Sequence, residues 1–144
     1  MSDTDTVIRM LCLCYRYDLS GYEFCRQFPN SVLAEDFNGI GPEWFPEKLR
    51  EFIDALEDDL LPAAFVHDVR WSHSDGTLLA FSASNEELRE NCKRIAFGKY
   101  SWWDPRRYLR WRTGVVFARL CNAFGLSAYN AAYERANPQE AKQI

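Results

Sequence analysis

The sequence predicts an all-α fold, a compact bundle of about four to five helices, on three observations. Apolar residues recur at helical spacing, most clearly at Leu49, Phe52, Ile53, Leu56 and Leu60. Residues that start helices stand at Pro46, Pro62, Ser84 and Asp104-Pro105. No convincing alternation of apolar and polar residues runs over about six positions, so no strand is expected.

Each element has its own reason. Ile8, Leu11, Cys12 and Tyr15 share one helical face in a Cys-rich, aromatic stretch from Thr6 to Phe24, so a first short helix should end near Asp18-Leu-Ser-Gly21. Pro29-Asn30-Ser31 opens a short helical or irregular piece through Glu35. In Phe37-Asn38-Gly39-Ile40-Gly41-Pro42, two glycines closed by proline favour a tight loop. Pro46 begins an amphipathic helix to Leu60, and Pro62 begins another to Trp71, apolar on most sides and therefore central. Ser72–Thr77 reads as a turn, and Leu78–Ser82 as a brief extended piece or the entry to the next helix. Ser84 and Glu87 form an S-x-x-E capping box before the stripe Leu88, Cys92, Ile95. Asp104-Pro105 caps the last long helix, Gly125 stops it, and a final piece runs from Ser127 to about Arg135.

At 144 residues and 16.8 kDa the chain has room for one domain spanning 1–144. The uncharged apolar stretches Met10–Tyr15 and Leu60–Val66 fall far short of the roughly 20 residues that cross a bilayer, so no transmembrane segment is expected. Asp3 and Asp5 stand where a secretory signal carries basic residues, which predicts a chain that is cytoplasmic when synthesised, whatever becomes of it later. Five cysteines, an odd number with no CxxC pair, predict reduced and mostly buried thiols. The net charge of −4 hides an asymmetry: residues 1–68 carry −9 and residues 69–144 carry +5. Overall acidity argues against duplex nucleic acid, whose binding depends on neutralising phosphates.

Three features order themselves into one device: the loop 37–42, the dipeptide His67-Asp68, and the helix with Asn85 and Asn91. Singly, each has a plainer reading as a turn, a chance pair and a capping residue. Together they supply chemistry. Adjacent helical residues point about 100° apart, so His67 and Asp68 can serve neighbouring atoms, one handling a water and the other a metal. Carbonyls exposed by a Gly-rich loop, with the Asp68 carboxylate, make a hard-oxygen cage suited to Ca²⁺. The Gly39 N–H could stabilise a developing oxyanion, and a neutral His67 could take a proton from water.

This order of a G-x-G loop, a P-A-A-x-x-H-D helix and an Asn85-x-x-Leu88-x-x-Asn91 helix resembles the phospholipase A2 superfamily, particularly its cysteine-poor bacterial and phage-borne relatives with an FNGxGP loop. The resemblance spans about Phe37 to Asn91. It implies a phospholipase A2-like fold, a glycerophospholipid ester as substrate and weakly bound calcium. Phe37, Gly39 and Gly41 would be carbonyl ligands, Asp68 the carboxylate ligand and His67 the general base. Asn85 stands where the family has an aspartate beside the histidine, and Trp71 where it has a tyrosine. An amide orients a histidine without neutralising it. The rival expectation is a non-enzymatic scaffold of phage or prophage type whose surface binds a protein or membrane partner.

Trp102, Trp103, Arg106, Arg107 and Arg110 form the other conspicuous cluster, read as an interfacial patch for a phospholipid surface, or as a helix start with ordinary packing and solvated arginines. His73, in the predicted turn, is expected to be a solvated surface residue.

Overall fold

The computed structural model describes residues 3–39 and 57–138. Among these residues there are seven helices and no strand: α1 (Asp3–Arg16), α2 (Tyr22–Arg26), α3 (Asn30–Gly39), α4 (Glu57–Ser72), α5 (Leu78–Lys99), α6 (Pro105–Phe124) and α7 (Leu126–Ala136). The all-α expectation holds, with more helices than expected because short pieces such as α2 are helical too. The expected amphipathic run from Pro46 to Leu56 lies outside the described residues, and its last apolar member, Leu60, is buried on α4.

Helix α1 buries Val7, Met10 and Cys14, places Asp3 and Asp5 in its first turn and Arg16 in its last, so its charges complement the helix dipole. Asp18 (φ 52°) and Gly21 (φ 92°) then reverse the chain. A side chain at Gly21 would also meet Val66 Cγ1 at 2.6 Å, which makes glycine the residue this turn requires. The turn is tied to α5: Asn91 accepts from Ser20 N at 2.8 Å and donates to Ser20 O at 2.9 Å.

Helix α4 is central, as its apolar sequence predicts, packing against α1, α3, α5 and α7. Ala63, Phe65, Val66, Val69 and Trp71 are all buried. Pro62, expected to start a helix, instead sits inside α4 and is itself buried. Proline in a helix interior costs about 3 kcal/mol, an expense offset here by the apolar neighbours it helps to bury. Helices α5 and α6 form an antiparallel hairpin, with Cys92 opposite Gly114 and Asn85 opposite Asn122. Trp71, Phe81 and Tyr129 close the core where α4, α5 and α7 meet, with ring centroids 5.1–5.7 Å apart.

Several local expectations are corrected. Phe37 to Gly39 belong to α3 rather than to a loop, while Ile40 to Pro42 lie outside the described residues. Leu33 is buried and Phe37 packs on Phe65, so tertiary burial holds these residues helical. Thr77, not Ser84, caps α5, accepting from Ala80 N at 3.1 Å. Leu78–Ser82 is therefore helix entry. Ser84 is buried mid-helix, and Glu87 pairs with Arg70 rather than completing a capping box. Asp104, Pro105 and Gly125 do punctuate α6 as expected.

Candidate functional site

His67 and Asn85 come together across the α4–α5 contact. His67 Nε2 lies 2.7 Å from Asn85 Oδ1, and the Asn85 amide nitrogen donates to Asn122 Oδ1 on α6 at 2.7 Å. Because that nitrogen is spent on Asn122, the Asn85 oxygen faces the histidine and accepts from Nε2–H. Nδ1 of His67 therefore keeps its lone pair. The imidazole lies 4.4 Å from the Trp71 ring, and the Trp71 indole donates to Ser84 Oγ at 2.8 Å. Ser84 in turn donates to Phe81 O at 2.8 Å. Orientation of the imidazole thus descends from three helices, through the buried Asn85 and Ser84 and the exposed Asn122.

Burial dominates the electrostatics. His67 is 4% exposed, and burial pushes its pKa down to about 4 against a partial opposing effect of the Asn85 hydrogen bond. The ring is neutral at pH 7. Asp68, the next residue, is half-buried and makes no hydrogen bond to any described residue. Burial first, and the Asp36 carboxylate second, hold its pKa well above the usual carboxylate range. A carboxyl in this state gains from a cation beside it.

The expected metal ligands are not all in view. Phe37 and Gly39 occupy the last turn of α3, where helix carbonyls lack partners within the helix. Their positions are about 200° apart around the axis. A helical Gly39 directs its N–H at the carbonyl of Glu35, which departs from the oxyanion role expected of it. Gly41 lies outside the described residues. Among the described residues no three His, Cys, Asp or Glu side chains converge as a metal site. The donors that remain, the Asp68 carboxylate and backbone carbonyls, are hard oxygens of the kind calcium prefers, and an unsatisfied, half-buried carboxyl fits that ion.

The second cluster divides. Trp102 and Trp103 stand 74% and 68% exposed in the turn before α6, and the Arg106 guanidinium is exposed beside them while bonded to Asp104 at 2.7 Å. Arg107 and Arg110 do not join an open patch. Arg107 lies over the Phe97 ring at 4.0 Å with its Nε buried and unpartnered, and Arg110 pairs with Asp59 at 3.2 Å. Asp59 also accepts from Lys99 and Tyr100. The reason is that α4 brings an acid to the α5–α6 junction, which the local sequence around Arg110 does not reveal.

Sequence reasoning missed Asn122, 37 positions from its partner Asn85, and misread His73. That histidine is half-buried, stacked on Phe28 at 4.0 Å and bonded through Nε2 to Asp36 at 2.7 Å, so it is not a solvated turn residue. No short-range pattern marks either pair. Four of the five cysteines are buried, Cys12 is exposed, and all are free. No described helix is long and apolar enough to cross a membrane.

Comparison of the chain with protein-family models, curated proteins and solved structures finds no match to any of them. The functional reading therefore rests on the residues themselves.

Proposed function

We propose that this chain is a phospholipase A2-like, calcium-dependent hydrolase of a glycerophospholipid acyl ester, with His67 as general base. The observation that carries this reading is the His67–Asn85 hydrogen bond, which leaves Nδ1 of a neutral imidazole free to accept a proton. Asp68 with the carbonyls of Phe37, Gly39 and Gly41 would hold calcium, which when bound supplies a positive charge that polarises the ester carbonyl. His67 Nδ1 takes the proton from the attacking water. Asn85, fixed by Asn122, orients the ring but cannot neutralise the imidazolium that forms. The reaction is therefore slow for a site of this geometry.

Its partner would be a phospholipid surface, with Trp102 and Trp103 the side chains most open to it. The near-complete burial of His67 and Asn85 favours a second reading, a non-enzymatic scaffold in which the His–Asn–Asn chain specifies core packing. Fatty-acid release from mixed phosphatidylcholine and phosphatidylglycerol vesicles distinguishes them, measured without calcium and at about 5 mM, above the roughly 10⁻⁴ to 10⁻³ M range expected of a weakly charged cage. Release that appears only with calcium supports hydrolysis. Release that does not depend on calcium contradicts the calcium-dependent reading, and no release under either condition supports the scaffold.

A further inference from the structure

The turn joining α1 to α2 borders a cleft of about 330 Å³, whose walls include Tyr15, Asp18, Tyr22, Glu23, Phe24 and Arg70. From it we infer a binding site for a compact quaternary ammonium group. Tyr15 and Tyr22 meet with centroids 5.7 Å apart and planes tilted by 54°, as adjacent walls rather than a parallel stack. Ring faces attract a cation through their quadrupole, most strongly when it is poorly hydrated, as a methylated ammonium is.

Charge points the same way. Asp18 and Glu23 are exposed, and neither carboxylate is hydrogen-bonded or ion-paired to a described residue. Two cations stand here: Arg70, whose guanidinium lies 4.3 Å over Phe24 and reaches Glu87 at 3.0 and 3.1 Å, and the exposed Arg26, which lies over the Tyr22 ring at 5.6 Å. Glu87 balances Arg70, and Asp18 and Glu23 outnumber Arg26, which leaves the cleft with a negative excess. The carboxylates attract any cation, but an organic cation also gains from the ring faces, which a strongly hydrated metal ion does not use.

The cleft is also preformed. Asp18 is held in the left-handed region, its carbonyl accepts from Arg94, and Ser20 is held from both sides by Asn91. Its volume lies at the small end of the roughly 300–1,000 Å³ typical of small-molecule sites. The site lies apart from His67 and does not depend on hydrolysis. The same ammonium chemistry occurs in a phosphatidylcholine headgroup and in free choline.

The test is an NMR titration of the whole chain with choline chloride and with its neutral isostere 3,3-dimethylbutan-1-ol, at constant ionic strength. Saturable amide shifts centred on residues 15–24 are expected with choline, and binding of the isostere about tenfold weaker or less. Tyr22→Leu should weaken choline by about tenfold while Tyr22→Phe retains it, both folds being verified by thermal melting. Choline-displaceable retention on phosphatidylcholine but not phosphatidylglycerol vesicles would assign the lipid source. Choline binding without that retention would assign a soluble ammonium. Equal binding of the neutral isostere, or no saturation by roughly 50 mM, where a millimolar site is full, overturns the inference.

Discussion

Asn85 holds His67 at 2.7 Å with an amide rather than a carboxylate, and Asn122 fixes which end of that amide the histidine meets. This relationship has two consequences. The tautomer is set, and the positive charge that a base acquires has no counter-charge.

The first prediction concerns pH. His67 in the folded chain titrates near 4, below its ordinary 6.5, so the unfolded state binds the proton first. Stability that depends on a neutral His67 is present above pH 6.5 and is lost as pH falls towards 4, a contribution on the order of 3 kcal/mol at most. Denaturant unfolding of wild type and His67→Gln between pH 7 and 4 checks this, and the gap between them should narrow on acidification.

Asp68 behaves with the opposite sign. Its folded pKa is raised, so its carboxyl favours folding at low pH and that advantage is lost as pH rises through the raised value. Asp68→Asn should therefore melt above wild type at pH 8, in calcium-free buffer. Adding about 5 mM calcium should stabilise wild type by about 1–2 kcal/mol and leave Asp68→Asn unmoved. An equal calcium shift in both proteins would remove Asp68 from the metal site.

How much of this was legible in the sequence depends on how local each signal is. The cap at Asp104, the stop at Gly125 and the pairing of His67 with Asn85 were readable, the first two because capping acts within one turn. Ser84-x-x-Glu87 misled because the same spacing also occurs inside a helix. There Ser84 serves Trp71 and Glu87 serves Arg70, contacts that only folding creates. The pairs Asn85–Asn122 and Asp36–His73 each span 37 positions and follow from helix packing, not from pattern. Phe37 to Gly39 looked like a loop by composition, yet burial of Leu33 and contact of Phe37 with Phe65 outweigh the glycine.

Close approach of α5 and α6 depends on Gly114. An added Cβ would lie 2.3 Å from Cys92 Cβ, so Gly114→Ala should destabilise the chain by about 1–3 kcal/mol in denaturant unfolding. Cys92→Ala should not rescue it, because alanine keeps the clashing atom.

Thiol reactivity follows burial. Cys14, Cys25 and Cys92 have thiols pushed up to about 12 by burial, and Cys121 is raised as well. A thiol reagent at pH 8 should label Cys12 rapidly in the native chain, and all five cysteines after unfolding. Fewer than five in denaturant without reductant would reveal a disulfide.

The central claim, that His67 is the base and Asn85 leaves its charge uncompensated, is tested most directly by initial rates of fatty-acid release at about 5 mM calcium for wild type, Asn85→Asp and His67→Gln. A carboxylate at 85 favours the imidazolium, so Asn85→Asp should exceed wild type by about tenfold or more, and His67→Gln should release nothing above background. Release that persists in His67→Gln, or none even in Asn85→Asp, would contradict the account.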